Sequence, residues 1–462
     1  MPLSYVGCTS VFIPNCQQAK EKSPQAERGR DLDPDIGKWD WPTRGSNSEG
    51  TSLFLQASKH RTARRPESSE TVRVFRRILG QYPRSRVPRG LAETSALARG
   101  SEEEREIARE CYLDEIIHGI VNPDASPGVP WLVFGATNKK LLETHKDTVK
   151  TAVVSRLRVL AREDCYGLTA EQLVKIGACD PVRLFVKNEP HSRAKLNEGR
   201  VRLISSVSIV DQIVERVLWG PQNDAEILRW RTIPSKPGLG LEDADVMVLC
   251  EAVRTGLAMG PAAMSDMSGW DFSVQAWEFD NEVVMRNALN ESDVDSTFGR
   301  VNANRMYCLS LSVFALSDGT LVAQRARGIM KSGSYGTSSI NSRQRVSAGY
   351  YCGASWCIAA GDDAVEGFVP DAVSKYHALG HNLKGYDPVV GSLESFGFEF
   401  CSTWMSKGKG YPVDPSKSLF RLLHRRPGDS EALRQWRREM RHHPRIKYYE
   451  ELLLRAGWSA QN

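Results

Sequence analysis

No run of about 18 consecutive apolar residues occurs in the 462-residue chain, so no segment reads as a membrane-spanning helix. Ten cysteines are present, yet none forms a Cys-x-x-Cys pair. That excludes the common zinc spacings, and a chain of this length needs no disulfide scaffold. Reduced thiols in a cytosolic compartment are the expectation. Net charge is also scarce: +5 overall, too little to point at any partner. No Gly-x4-Gly-Lys-Ser/Thr string is present, which argues against a P-loop ATPase. Residues 1–17 lack both a charged start and a continuous apolar core, so no signal peptide is expected. Membrane association is therefore expected only through partners. No internal repeat or low-complexity tract is seen.

What is there is ordinary in bulk and uneven in place. Hydrophobic residues make up 41% and charged residues 25%, as in soluble globular proteins, and the length suggests about three domains or lobes. Residues 59–89 carry ten Lys/Arg against Glu67 and Glu70, and residues 421–447 carry nine against Asp429, Glu431 and Glu439. Such blocks suit a polyanionic partner, or simply a solvated surface. Residues 1–50, polar and weakly periodic, read as an extended or partly disordered arm. A short helix is expected over 72–79. Ser101 before Glu102, Glu103 and Glu104 reads as a capping box, with Ile107, Cys111, Leu113 and Ile117 at helical spacing. A loop follows over 122–131, then a helix over 138–162.

The chemistry sits in six blocks. Gly361-Asp362-Asp363, between apolar runs, reads as a hairpin tip. Gly and Asp are turn residues in any hairpin, but two adjacent carboxylates favour a divalent cation. Residues 181–206 read as a strand over 182–186, a basic loop, and a second strand over 200–204. Alternation would put Arg200 and Arg202 on one face, with Lys187, Arg193 and Lys195 able to converge. Such a cluster can clamp a triphosphate. His191 beside Pro190 reads as structural. A short strand delivers Asp266 at its end. Asp271, five residues on, opens a helix whose apolar face would use Val274, Trp277, Val284, Met285 and Ala288. Lys331-Ser332-Gly333 leads into a helix that puts Thr337 and Asn341 on one face. Lys384 falls in a loop over 380–386, and 398–404 alternates like one strand. His377 and His381 are four apart, but no third metal ligand lies nearby. From Leu419 onward the pattern is helical and basic, with Ala432, Leu433, Trp436, Met440, Tyr448, Leu452, Leu453 and Leu454 as its apolar positions.

In order, these blocks resemble the motif series of an RNA-dependent RNA polymerase from a positive-strand RNA virus. Asp266-x4-Asp271 resembles motif A, Ser332-Gly333-x3-Thr337-x3-Asn341 motif B, and Gly361-Asp362-Asp363 motif C. Residues 187–202 resemble the basic motif F, Lys384 falls where motif D supplies a lysine, and Phe400-Cys401-Ser402 where motif E lies. The wording of 125–130 and 187–191 is similar to the sobemovirus, polerovirus and barnavirus group.

The resemblance implies an α+β right-hand polymerase fold with fingers, palm and thumb and an antiparallel palm sheet. Residues 1–100 would be a basic, partly extended arm, 101–258 fingers and 259–287 palm. Residues 288–330 would be a fingers insertion, 331–403 palm, and 404–462 a basic helical thumb. It implies two divalent cations, Mg2+ or Mn2+, about 4 Å apart, held by Asp266, Asp362 and Asp363. Lys187, Arg200 and Arg202 would meet the triphosphate, and Lys384 would act as general acid. Asp271 and Asn341 would read the ribose 2′-hydroxyl; Ser332, Gly333 and Thr337 would position template and nucleotide. Implied partners are RNA template and product, nucleoside triphosphates, a protein primer and other viral replication proteins. The implied setting is host cytoplasm, at membrane-associated replication complexes reached through partners. A reverse transcriptase shares the palm carboxylates, but Asp271 and Asn341 argue against excluding a 2′-hydroxyl. A non-catalytic RNA-binding or coat-like protein would explain the basic blocks but not three separately placed carboxylates.

Overall fold

The structure, a computed structural model, describes residues 2–9, 23–87, 102–119, 121–292, 295–426 and 428–458, with backbone only for 102–110. Helices and four sheets make up these residues. The sheet that matters for chemistry has four antiparallel strands in the order Leu383–Pro388, Ala262–Met267, Asp363–Gly367, Cys357–Ala360. Its last two strands form a hairpin through Gly361 and Asp362, and Gly361 sits at φ +65°, which glycine adopts without a Cβ clash. A five-stranded sheet runs Leu3–Cys8, Thr320–Gln324, Val313–Ala315, Val182–Val186, Leu203–Ser206, antiparallel except where Val182–Val186 meets Val313–Ala315. A meander of Val390–Ser392, Ser395–Phe400, Thr403–Ser406 and Lys409–Pro412 forms the third sheet. Trp39–Asp40 pairs with His191–Ser192 in the fourth.

The helix Thr337–Cys352 is buried on nearly every side. It packs on the hairpin strand Cys357–Ala360 and on the helix Ser68–Gln81. Its arginines survive burial because each finds an opposite charge: Arg343 is paired with Glu226 and, at 2.7 Å, with Glu282. Glu282 is shared with Arg286 at 2.8 Å, and all four side chains are fully buried. The largest apolar cluster joins the helices Asn138–Arg162, Ile209–Leu228, Ala276–Leu289 and Thr297–Ser310 through Leu160, Val214, Phe279 and Val301. A separate cluster gathers Leu419, Phe420, Trp436, Met440 and Leu453 from the C-terminal helices around Ala26 and Ile36. Among the described residues, no helix is long and apolar enough to cross a membrane.

Several local expectations need correction. Residues 2–9 and 23–50 are built in, not loose: Leu3–Cys8 extends the five-stranded sheet, and the helix Pro24–Leu32 packs on Pro415–Leu423 and Ile446–Arg455. The second basic-loop strand starts at Leu203, so Arg200 and Arg202 precede it. Residues 383–386 are strand, not loop. Residues 398–404 are not one strand. Cys401 and Ser402, at φ +52° and +54°, turn the chain between Ser395–Phe400 and Thr403–Ser406. The helix at Asp271 is a four-residue turn, Trp270–Ser273, and a new helix starts at Ala276; Val283 is buried where Val284 was expected, and Val284 is exposed. Leu454 is exposed as well. In the first basic block, Arg73 donates to the Tyr350 carbonyl at 3.3 Å, and Arg61 and Arg77 to those of His377 and Ser355. These guanidiniums are committed to the protein's own backbone. Ser101 and Ile107 lie outside the described side chains.

Candidate active site

Asp266 is the penultimate residue of its strand, between Lys384's strand on one side and the hairpin on the other. Ser265 pairs with Ala364, so one further step of the register sets Asp363 beside Asp266. Asp362 occupies the turn one residue earlier. The charges feel one another. Burial pushes the Asp363 carboxyl up to about 7, and repulsion from Asp362, Asp266 and Glu399 adds to it. Asp362 is raised by burial and then by Asp266. Burial, then Asp266, also raises Glu399, a residue not picked out from the sequence. Lys384 Nζ donates to Asp266 Oδ2, and that bond raises the lysine. Both members of this pair are open to solvent, so it contributes little to stability.

Asp271 is held under the same roof. Asn341 Nδ2 donates to Asp271 Oδ1 at 2.9 Å. Burial pushes Asp271 up to about 6 against that bond, with Asp362 adding repulsion. Asn341 Oδ1 is buried with no hydrogen-bond partner. Buried acceptors are rarely left unpaired.

The loop before Asn341 is pinned at each end. Lys331 is fully buried; its ammonium donates to the Gln324 side-chain oxygen, to the Ile329 carbonyl at 2.8 Å and to Gly328 at 3.4 Å. Burial lowers its pKa well below the ordinary lysine value. Ser332 Oγ accepts from the Ser205 amide at 3.1 Å, and Gly333 N donates to the Ser205 carbonyl at 3.0 Å. A Cβ on Gly333 would lie 2.4 Å from that carbonyl oxygen, so glycine is required there. Thr337 Oγ1 donates to the Lys331 carbonyl at 2.6 Å. The small-residue loop is thus fastened to the strand that leaves the basic loop.

The basic loop is brought near the carboxylates but not as one flat face. Arg202 donates to Glu189 at 2.8 Å, Lys187 pairs with Glu189 at 3.3 Å, and Arg200 pairs with Glu198. Burial raises Glu189, but Arg202, Lys417 and Lys187 outweigh it and hold the carboxyl low. Lys195 is pushed down by burial and then by Lys384, Arg202 and Arg200, with Asp266 opposing. Those cations therefore crowd one region that Asp266 shares. His191 is structural, as expected: its Nε2 accepts from the Arg202 amide at 2.8 Å. The Cys401–Ser402 turn approaches from the third sheet. Burial, then the charges of Asp363 and Asp362, push the Cys401 thiol up to about 12.

Among the described residues, no group of three or more His, Cys, Asp or Glu side chains is drawn tightly enough to hold a metal ion as it stands. The donor chemistry nevertheless fits magnesium or manganese: hard carboxylate oxygens, mutually repelled, with one already neutralised by an ammonium. His377 and His381 do not form a site. His381 is buried, stacked on Trp270 at 4.3 Å and bonded to Ser273 at 2.8 Å.

Carboxylates thus gather at the end of an antiparallel sheet, with the cations of the basic loop in the same region. The chain belongs to the viral RNA-directed RNA-polymerase family, whose model matches residues 32–420. It is 40% identical over 454 residues to the replicase polyprotein P2AB of Southern bean mosaic virus, covering 97% of this chain and 46% of that protein. It is 35% identical over 404 residues to protein P1-P2 of Potato leafroll virus, covering 83% and 36%. The RNA-directed RNA polymerase of Mushroom bacilliform virus is 37% identical over 331 residues, covering 68% of this chain and 77% of that protein. The chain thus spans less than half of the two longer relatives. The sobemovirus, polerovirus and barnavirus likeness expected from the motifs is met, and the family implies a right-hand polymerase fold, which the mixed helices and largely antiparallel sheets accommodate.

Proposed function

We propose that this chain carries out template-directed RNA synthesis, joining nucleoside triphosphates to an RNA 3′-hydroxyl in viral genome replication and transcription. The observation that carries the reading is the gathering of Asp266, Asp362 and Asp363, distant in sequence, at one end of one sheet. In this reading residues 259–287 and 331–403 form the palm, 101–258 and 288–330 the fingers, 404–462 the thumb, and 1–100 a basic N-terminal arm.

RNA-directed RNA polymerases use divalent metal ions. Asp266 and Asp362 would hold two such ions, Mg2+ or Mn2+, with Asp363 in support. When bound, the ions lower the pKa of the attacking hydroxyl and neutralise the leaving pyrophosphate. Lys187, Arg200 and Arg202 exchange Glu189 and Glu198 for the triphosphate and offset its charge. Lys384, released from Asp266, donates a proton to the departing pyrophosphate oxygen. Asp271 and Asn341 receive the ribose, the 2′-hydroxyl donating to the orphan Asn341 Oδ1. Ser332, Gly333 and Thr337 set the loop on which template and nucleotide rest. Proposed partners are RNA, nucleoside triphosphates, a protein primer and other replication proteins, in host cytoplasm at membrane-associated complexes.

The test is primer extension on an RNA template with labelled nucleotides. Asp362→Asn should lower incorporation by at least about 10²-fold; wild-type rates from that variant would remove the metal assignment. Exchanging template and nucleotides for their DNA forms separates this reading from a reverse transcriptase.

A further inference from the structure

Behind the carboxylates, on the opposite face of their sheet, lies a buried guanidinium that the motif series does not use. Arg345 is on the helix Thr337–Cys352, one turn beyond Asn341, and is fully buried. Its Nε donates to the Asp362 carbonyl at 3.2 Å. Its Nη1 donates to Tyr376 Oη at 2.7 Å and lies 3.4 Å from Glu366. Its Nη2 donates to Ser265 Oγ. Ser265 immediately precedes Asp266, and strand alternation points it away from the carboxylate face. Ser265 Oγ also donates to the Ala364 carbonyl at 3.3 Å. On the same helix, Ser342 Oγ accepts from the Gly361 amide at 2.9 Å.

We propose that Arg345 is a positioning residue for the two-cation site, its guanidinium locking the Gly361-Asp362-Asp363 turn to the strand that carries Asp266. The planar fork suits this task, since it reaches the turn, the neighbouring strand and the helix Ala372–Leu379 at once. Lysine offers a point charge and cannot span them. A buried ion pair kept only for packing is commonly replaceable by apolar filler at no loss. An apolar side chain has nothing to donate to the Asp362 backbone. The inference deepens the polymerase reading and rests on it for the use of the cations.

The experiment compares wild type, Arg345→Lys and Glu366→Gln. It measures Mn2+ binding by electron paramagnetic resonance without substrate, kcat and nucleotide KM in primer extension, and melting temperature. Arg345→Lys should bind Mn2+ several-fold more weakly and lose roughly 10²-fold in kcat, with KM nearly unchanged, because carboxylates misplaced by about 1 Å cost that much. Glu366→Gln, which keeps the contacts to Asp362 and Ser265, should retain Mn2+ affinity even if it melts lower. Wild-type Mn2+ affinity and kcat in Arg345→Lys overturn the proposal. So does an equal loss of both in Glu366→Gln. If Arg345→Lys fails to fold, Ser265→Ala removes one anchor; it should weaken Mn2+ binding in the same direction, and no change overturns the proposal. Wild-type protein that binds Mn2+ but incorporates no nucleotide removes the polymerase reading, while the affinity comparison still decides Arg345. Wild type without Mn2+ affinity overturns both.

Discussion

Replacing Asn341 by leucine should erase most of the preference for ribonucleotides that this side chain provides. Leucine keeps the branch at Cγ and has no polar atoms. In the structure Asn341 Nδ2 is spent on Asp271, while Oδ1 is buried and unpaired. An unpaired buried acceptor costs about 1–3 kcal/mol. A ribonucleotide relieves that cost by donating its 2′-hydroxyl; a deoxynucleotide leaves the atom orphaned. One atom therefore accounts for roughly a 5–150-fold difference in kcat/KM between the two sugars. In Asn341→Leu the ratio should fall by that factor, with the loss confined to the ribonucleotide. The assay is steady-state incorporation of each matched pair opposite the same template base. An unchanged ratio, with both efficiencies dropping together, would refute the reasoning and leave Asn341 as a brace for Asp271 alone.

Three other outcomes follow from the same geometry. With a chelator present, Asp363 has a folded-state pKa of about 7 against an ordinary 3.8, so the native state binds its proton more tightly than the unfolded chain. Stability from this group is complete below about pH 4 and lost as pH rises through about 7. Asp363→Asn should thus be more stable than wild type at pH 8, by up to about 4 kcal/mol, with the gap closing on acidification; pH-resolved denaturation reads it. Arg343→Met leaves Glu226 buried without its partner and should cost about 3–5 kcal/mol in chemical denaturation. Lys384→Leu should lower kcat by roughly 10²–10⁴-fold at nearly constant nucleotide KM, measured with saturating metal.

Where local signals were strong, the chain could be read directly. Thr137 caps a periodic segment, and the helix Asn138–Arg162 spans the range expected of it. Val182–Val186 is a short, mostly apolar run and is a strand. Gly361 marked the hairpin tip because few other residues take its φ. What was illegible depended on distant partners. The helix Pro24–Leu32 has little apolar surface of its own and is fixed by Leu423 and its neighbours, about 400 positions away. Arg200 and Arg202 were expected on one face of a strand, but the strand starts only at Leu203, and the two pair with Glu198 and Glu189. Cys401 and Ser402 turn the chain at positive φ with no glycine to announce it. Nothing in the local sequence singles out Arg345; only the fold sets it behind the Asp362 turn.

Manganese anomalous diffraction from crystals of the full chain bears most directly on whether the carboxylates serve as a cation site. The account predicts anomalous peaks within coordinating reach of the Asp266 and Asp362 carboxylates, with Lys384 moved off Asp266. Active protein whose manganese lies elsewhere, with the Lys384–Asp266 pair intact, would contradict it.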